Sequence, residues 1–266
     1  MGIDMNLLKQ LRAMTFAPLK DCKEALVEAD GDLDKAHAIL KEKWILKAGK
    51  KTDRETNEGI VRWIKKDWKI IGIKLLCETD FVAKNDSFSA LVDDVLEKIA
   101  SWNAEFASKD EAPTELIGQV DVMLKEAFSS VWENMQLAEA FVTSSNGYIY
   151  NHPGNNVLAV VYFDGTDSNI AKEIALQVAA MNPVYLDMES VPADVKTELE
   201  TKFRQELLES GKPENMVEQI LKWKLSKALA EDVLLEQEYI RDWSKKIKNI
   251  IPEWFTVTSF KRMAIK

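Results

Sequence analysis

The sequence predicts an α+β protein with an N-terminal three-helix bundle, a core of two related α+β subdomains with antiparallel sheets, and a protruding helical hairpin (coiled coil). Three observations support this prediction. Apolar residues recur at helical spacing over residues 4–45. Two pairs of β-rich runs, each followed by an acidic turn and a helical pattern, succeed one another in the core. Residues 192–230 then carry two helical patterns with a narrow apolar stripe, which is typical of two helices packed mainly on each other.

The first domain, residues 1–46, is predicted to be a bundle of three short helices. Asp4 and Asp32 are suited to cap the first and third helices, and Pro18 suits the first turn of the second. The inward-facing residues predicted for the three helices, in order, are Leu7, Leu8, Leu11 and Met14, then Leu19, Cys22, Ala25 and Leu26, and then Leu33, Ala36, Ile39 and Leu40. Residues 47–58 are polar and charged, and they predict a linker.

The first core subdomain is predicted to span residues 59–140. Two β-rich runs flank the stretch KKD, at residues 65–67, and predict a hairpin. A helix is predicted to follow, with the apolar residues Phe88, Leu91, Val92, Val95, Leu96 and Ile99 at helical spacing. Residues 113–137 are predicted to be further helix.

The second core subdomain, residues 141–266, repeats this order. The stretch GYIYNHPGNNVLAVVYF predicts a second hairpin, and a helical pattern follows from Ile170 to Met181. Each half has a Thr-Asp pair in the acidic turn before its helix, at residues 79–80 and 166–167. This recurrence indicates an internal repeat.

The helical hairpin is predicted at residues 192–230, inside the second subdomain. Pro192 opens its first helix, Gly211 ends that helix, and Pro213 begins the second. The tail, WSKKIKNIIPEWFTVTSFKRMAIK, predicts a short helix and then a strand over residues 255–260.

Composition and charge argue against several classes of function. The net charge of −9 disfavours binding to nucleic acids and to anionic membranes, and it fits a basic protein surface better. Cys22 and Cys77 make no disulfide framework and no zinc pattern, so they are predicted to be buried free thiols of a cytoplasmic protein. The longest apolar run, VLAVVYF, is too short to cross a membrane. The N-terminus has no signal or transit character.

The sequence contains no recognisable catalytic motif. Phosphate-binding loops, nucleophile elbows and zinc-protease motifs are absent. We therefore predict no catalytic residue, no cofactor, no metal site and no enzyme activity. His37 is predicted to be a surface or packing residue, and His152 a structural residue of a Pro-Gly turn. A hydrolase that uses His152 stays as an alternative, and it would require a nucleophile near that histidine in space.

The stretch CETDFVAKND, at residues 77–86, places a large apolar side chain, Phe81, in an acidic turn. Two interpretations are open. In one, Asp80 caps the turn and Phe81 packs into the chain's own core, beneath the helix that starts near Ser87. In the other, Phe81 is exposed and becomes buried only against another protein.

Three regions, in this order along the chain, resemble the bacterial translation elongation factor Ts family. DCKEALVEADGDLDKAHAILKEK is similar to its ubiquitin-associated-type (UBA-like) N-terminal domain, and TDFVAKND to its most characteristic motif. HPGNNVLAVV and ALQVAAMNP are similar to its second core half. WENMQL, SGKP and LLEQEYIRD are weaker similarities. The resemblance covers essentially the whole chain.

The resemblance implies a function in translation elongation. Members of the family are guanine nucleotide exchange factors, which bind elongation factor Tu in its GDP form and promote GDP release without bond chemistry. By this resemblance, Asp80 and Phe81 are inserted near the magnesium and phosphate site of the GTPase. The implied contact residues are Thr79, Asp80, Phe81, Val82, Ala83, Lys84 and Asn85, and, more weakly, Gln177, Val178, Ala179 and Met181.

The same resemblance implies the partner and the location. Elongation factor Tu is the implied partner, in the cytoplasm, with no direct contact to nucleic acid or membrane. The N-terminal bundle is expected to dock on the GTPase domain of that partner. The sequence leaves open whether the protein forms a homodimer or a 2:2 complex. The alternative function is a non-enzymatic, UBA-type scaffold for protein interactions.

Overall fold

The structure, a computed structural model, describes residues 4–15, 17–49, 54–131, 133–209 and 214–265. It consists of two compact units. The first unit contains Met1–Ser145, Pro153–Asn156 and Met263–Lys266, and the second contains Asn146–His152 and Val157–Arg262. Within the described residues, no helix combines the length and the apolar character that crossing a membrane requires.

The first unit begins with the three predicted helices. Their bounds are α1 Met5–Thr15, α2 Leu19–Glu28 and α3 Leu33–Gly49. The side chains of Asp4 and Asp32 each accept a hydrogen bond from the backbone N–H two residues further on, at 2.8 and 3.0 Å. Both predicted caps are thus confirmed, and Pro18 directly precedes α2. The three helices close around a small apolar core that contains Cys22 as a buried free thiol.

Two residues predicted to face inward in this bundle are in fact exposed. Met14 is 57% exposed, because Thr15 takes the inward position at the end of α1 and donates its hydroxyl to Leu11 O at 2.6 Å. Leu19 is 51% exposed, because it is the first residue of α2 and lies one turn before the buried Cys22. The bundle core is therefore shorter along both helices than the sequence predicts.

The rest of the first unit is an antiparallel sheet with helices packed on it. The elements are β1 Glu58–Lys66, β2 Lys69–Cys77, α4 Asp80–Ala83, α5 Asp86–Ala100, α6 Thr114–Val131 and β3 Met135–Thr143. The strand order is β1-β2-β3. Asp67 and Trp68 form the turn of the first hairpin, both at positive φ, as a two-residue hairpin turn of type I′ requires. The six apolar residues predicted for the following helix are all buried, so the hairpin and α5 are confirmed.

The helix predicted over residues 113–137 is wrong at its C-terminal end. α6 ends at Val131, and the chain becomes the strand β3 from Met135 onward. β3 pairs with the central strand β2 from Ile70 to Cys77, whose backbone groups would otherwise form an open edge. The pairing joins residues that are far apart in sequence: Lys74 and Glu139, 65 residues apart, form an ion pair across it at 3.2 Å. Local periodicity contains no information on such a partner.

The second unit also combines a sheet with helices. Its elements are β4 Gly147–Asn151, β5 Val157–Asp164, α7 Ser168–Met181, α8 Ala193–Glu209, α9 Glu214–Leu229, β6 Glu238–Tyr239, β7 Asp242–Lys246, α10 Ile247–Ile250 and β8 Thr256–Ala264, of which the last two residues belong to the first unit. The main sheet has the order β4-β5-β8, with β4 and β5 antiparallel. Asp167 caps α7 by accepting from the N–H groups of Asn169 and Ile170, at 2.8 and 3.2 Å. The predicted second hairpin, the helix after it and the α+β class are confirmed.

The helices α8 and α9 pack on each other, as predicted for residues 192–230. Leu207, Val217 and Leu221 form a buried apolar cluster between them. Arg204 and Glu218 form an ion pair across the two helices at 2.7 Å. Gly211 and Pro213, which are predicted to end one helix and begin the other, lie outside the described residues.

The prediction for the tail is partly wrong. Residues 243–246 belong to β7, which pairs with β6, so the predicted short helix is confined to α10. The predicted strand at residues 255–260 is present as β8 and continues to Ala264. β6 contains only two residues, which is too few for a periodic pattern to indicate a strand.

Candidate functional site

The segment Thr79–Asn85, called the Phe81 turn below, connects β2 to α5. It contains α4, a single helical turn. Thr79 has an extended backbone, and its hydroxyl accepts a hydrogen bond from the Val82 N–H at 3.4 Å, which caps α4. Asn85 is also extended, and its side chain accepts from the Ser87 N–H at 2.9 Å, which caps α5. Two caps in close succession hold both ends of the turn.

Phe81 is exposed on this turn. It is 83% exposed, whereas Phe88, in the first turns of α5, is fully buried. Val82 and Ala83 are partly buried against the core of the first unit, so one side of α4 is anchored and the other presents Phe81. The interpretation in which Phe81 packs into the chain's own core is therefore wrong, because Phe88 fills the core beneath α5. A large exposed apolar side chain on an anchored turn is a candidate contact for another protein.

Asp80 and Lys84 form an ion pair that spans the Phe81 turn. The Lys84 Nζ lies 2.7 Å from Asp80 Oδ2, at the (i, i+4) spacing that places both side chains on one face of a helix. The hydrogen bond from Lys84 lowers the pKa of the Asp80 carboxyl, and the same bond raises the pKa of Lys84. Both side chains are largely in water, so the pair orients charge near Phe81 and adds little to stability.

The base of the Phe81 turn is held by two side chains, those of Cys77 and Glu133. The buried Cys77 thiol donates to Thr79 O at 3.3 Å, and burial raises its pKa to about 12, with the charges of Glu133 and Glu58 acting in the same direction. Glu133 accepts hydrogen bonds from the Glu78 N–H, the Thr79 N–H and the Thr79 hydroxyl, at 3.1, 2.9 and 2.6 Å. The one trace of Glu133 in the sequence is the weak family similarity of WENMQL.

The four weaker contact candidates lie at the C-terminal end of α7, in the second unit. Gln177 and Val178 are buried. The Gln177 amide donates to Gln237 Oε1 and accepts from the Ile240 N–H, each at 3.0 Å, so its polar atoms bind the chain itself. Ala179 and Met181 are partly exposed. Of the four candidates, Ala179 and Met181 are therefore accessible at the surface, whereas Gln177 and Val178 are not.

The two histidines are both exposed. His152 is exposed in the turn after β4, where its Nδ1 and the Tyr150 hydroxyl share a hydrogen bond of 2.8 Å. His37 is exposed on α3. Within the part of the chain that the structure describes, no three His, Cys, Asp or Glu side chains are grouped so that they could hold a metal ion.

Comparison with known proteins gives a consistent result. The family model described as "Elongation factor TS" matches residues 78–266. A protein named "Elongation factor Ts" from Hydrogenobaculum sp. (strain Y04AAS1) is 37% identical over 254 residues, which cover 94% of this chain and 93% of that protein. A protein of the same name from Aquifex aeolicus is 36% identical over 270 residues, which cover 95% of this chain and 93% of that protein. Another from Chlorobium phaeobacteroides is 35% identical over 282 residues, which cover 98% of this chain and 97% of that protein. The two latter matches thus extend over the N-terminal bundle as well as the region of the family model.

Proposed function

The chain belongs to the elongation factor Ts family, and on that premise we propose that it is the guanine nucleotide exchange factor of elongation factor Tu in translation elongation. It binds the GDP form of the GTPase and promotes GDP release. The exposed Phe81, held on a capped and anchored turn, is the observation that carries this proposal. No covalent bond is made or broken in such a reaction, so the function is non-enzymatic in the chemical sense.

The energy for GDP release comes from thermodynamic linkage. If the factor binds the nucleotide-free GTPase more tightly than the GDP form, it must weaken GDP binding by the same ratio. The factor therefore needs a rigid surface that fits only the rearranged GTPase. The Phe81 turn meets this need, because its two caps and the buried sides of Val82 and Ala83 order it before any partner is bound.

The Phe81 turn is inserted next to the magnesium and phosphate site of the GTPase. The Phe81 ring enters an apolar pocket of the partner, and Asp80 and Lys84 contact polar groups beside it. Magnesium bridges the GTPase and the nucleotide phosphates, so moving its ligands loosens GDP. A buried aromatic anchor at the centre of an interface supplies about 2 to 4 kcal/mol, which is roughly one to three powers of ten in affinity.

Three further surfaces complete the proposed contact. The N-terminal helices form a UBA-like bundle that docks on the GTPase domain. Ala179 and Met181 at the end of α7 touch a second domain of the partner, with Gln177 and Val178 as their support. The pair α8–α9 is a protruding coiled coil. The acidic net charge of −9 suits a protein partner in the cytoplasm and no direct contact with nucleic acid or membrane.

Stopped-flow fluorescence tests this proposal. Bacterial elongation factor Tu is loaded with a fluorescent GDP analogue and mixed with excess unlabelled GDP, with or without the factor at micromolar concentration. We expect the factor to accelerate loss of the fluorescent nucleotide, in a manner that saturates with factor concentration. No acceleration would overturn the proposal, and recovery of many partners but no GTPase in a pull-down would favour the scaffold alternative.

A further inference from the structure

Two carboxylates interlock the base of the Phe81 turn with the segment that leads into β3. Glu133 Oε2 accepts from the N–H groups of Glu78 and Thr79, at 3.1 and 2.9 Å, and Glu133 Oε1 accepts from the Thr79 hydroxyl at 2.6 Å. In the opposite direction, Glu78 Oε1 accepts from the Asn134 N–H at 2.7 Å. Each carboxylate thus binds the backbone of the other's segment, and the pair is called the carboxylate clamp below.

Arg54 closes the clamp on its outer side. Its guanidinium donates to Glu78 Oε2 at 3.2 Å, and its carbonyl oxygen accepts from the Asn134 side-chain amide at 3.0 Å. Arg54 therefore pairs its positive charge with Glu78, and it ties the clamp to the chain just before β1. The clamp connects three parts of the first unit that are far apart in sequence.

The clamp holds backbone groups that the sheet does not hold. The strand pairings of β2 end at Cys77, which pairs with Glu58 on one side and with Met135 on the other. The N–H groups of Glu78 and Thr79 lie beyond this last pair, and Glu133 supplies their acceptors. A partly buried N–H without an acceptor is costly, so removal of this carboxylate favours movement of the chain at this point.

Thr79 transmits the clamp to α4. Its hydroxyl donates to Glu133 and accepts from the Val82 N–H, so one oxygen joins the clamp to the first turn of the helix. Phe81 lies two residues after Thr79 and is 83% exposed, which means that its ring has little packing of its own. The direction in which the ring projects is therefore set by the backbone beneath it.

We infer that Glu133 is a positioning residue of the exchange reaction, which fixes the Phe81 turn through the backbone of Glu78 and Thr79. This inference rests on the proposed function, since it concerns the same turn. Glu133 does not touch the partner. It acts by keeping α4 in one orientation before the partner is bound, so that no binding energy is used to order the turn.

The test compares three single variants with the wild-type chain in the GDP-release assay. Glu133→Ala removes both acceptor oxygens and with them all three hydrogen bonds, and we expect the maximal release rate to fall about tenfold, as loss of a charged hydrogen bond of this kind predicts. Glu133→Gln keeps an oxygen where Oε2 accepts both N–H groups, and it should recover most of the rate. Glu105→Ala is the matched control, because Glu105 likewise accepts from a backbone N–H and a hydroxyl, those of Ser144, away from the turn.

A double variant and an exchange measurement separate positioning from general stability. In a chain that already carries Phe81→Ala, addition of Glu133→Ala should cause no further loss of the GDP-release rate, because both changes act through the Phe81 side chain. Amide hydrogen exchange by NMR on the free factor should show protected Glu78 and Thr79 amides in the wild type and in Glu105→Ala, and unprotected ones in Glu133→Ala.

The possible failures are distinguishable. If the wild-type chain does not accelerate GDP release, the proposed function fails, whatever the variants do. If the wild type is active and Glu133→Ala releases GDP within twofold of it, the positioning inference fails alone. It fails as well if Glu133→Gln is as slow as Glu133→Ala, because charge rather than hydrogen bonding would then be the operative property.

Discussion

Phe81 and Phe88 are of one residue type and lie seven positions apart, yet one is exposed and the other is buried. The difference arises because the two residues lie in separate helices. α4 ends at Ala83, and a new helix begins at Asp86 with its own cap, so α5 presents Phe88 to the core independently of α4. Val82 and Ala83 already occupy the inward side of α4, which leaves Phe81 on the outer side. Phe81, the proposed contact residue, is thus kept apart from the core because α4 and α5 are separate helices, each with its own N-cap.

Phe81→Ala directly tests the proposal that the Phe81 ring enters a pocket of the partner. We expect GDP release to slow by about 10- to 1,000-fold, as loss of a buried aromatic anchor predicts. The free energy of unfolding should change by less than about 0.5 kcal/mol, because the side chain is exposed in the free protein. Phe88→Ala is the matched control and should cost about 3 to 5 kcal/mol of stability. A large loss of stability in Phe81→Ala, measured by a circular dichroism melt, would contradict the exposed position.

The Asp80–Lys84 pair predicts a titration. The hydrogen bond from Lys84 lowers the pKa of Asp80. The small stabilisation that this ion pair gives the folded protein is therefore present above the ordinary pKa of 3.8, and it is lost as the pH falls through the lower pKa of the folded state. The raised pKa of Lys84 keeps that partner charged up to and beyond 10.5. NMR of the Asp80 carboxyl carbon should therefore give a midpoint below 3.8 that rises in Lys84→Met. An unchanged midpoint would mean that the pair does not form in solution.

At the level of elements, the central strand β2 has no room for a side chain at Gly72. A Cβ at Gly72 would collide with the ring of Phe141 in β3. A Cβ at Gly118 in α6 would meet no atom within 4 Å. Gly72 and Gly118 therefore differ in purpose: Gly72 makes room for an aromatic ring of the neighbouring strand, and Gly118 has no close neighbour that requires its small size.

These two glycines give opposite predictions for the same substitution. Gly72→Ala should destabilise the protein by about 1 to 3 kcal/mol, because the core must move to admit the methyl group. Gly118→Ala should stabilise it by up to about 1 kcal/mol, because alanine favours the helix. Urea unfolding followed by circular dichroism measures both. Destabilisation by Gly118→Ala would show that α6 is more tightly packed at that point than the structure indicates.

At the level of the whole molecule, apolar residues are divided among separate cores. Cys22 lies in the core of the N-terminal bundle, and Cys77 lies in the larger core beneath the first sheet. Burial raises the pKa of both thiols. The neutral, buried Cys77 thiol favours the folded state. This contribution to the free energy of unfolding is complete below the ordinary thiol pKa of 9.0, and it is lost as the pH rises toward and through the raised pKa of about 12. Each cysteine can therefore report on the opening of its own core.

Thiol labelling with a disulfide reagent at pH 8 tests this division. The native protein should react at neither cysteine, because both are buried and uncharged. As urea is added, Cys22 should react at a lower concentration than Cys77, because the smaller core buries less apolar surface. The variants Cys22→Ala and Cys77→Ala assign the two reactions. Prompt labelling of the native protein, or prior reaction of Cys77, would contradict the prediction.

The sequence by itself determined those features that depend on neighbours within a few residues. The helix caps Asp4 and Asp32, the helical periodicity of α5 and α7, and the two hairpins follow from local spacing. The Phe81 turn was also recognisable, because its motif lies in one continuous stretch. These features could be predicted because their physical causes are local.

Only the tertiary structure decided the features that depend on distant partners. β3 is a strand because β2 lacked a neighbour on one edge, and Gln177 is buried because residues about 60 positions away complete its hydrogen bonds. Glu133 holds the Phe81 turn from 54 positions away. Whether Phe81 packs into the chain's own core or is exposed was likewise open in the sequence. Burial and long-range hydrogen bonds are properties of the packed chain, because each requires two segments whose meeting no local pattern specifies.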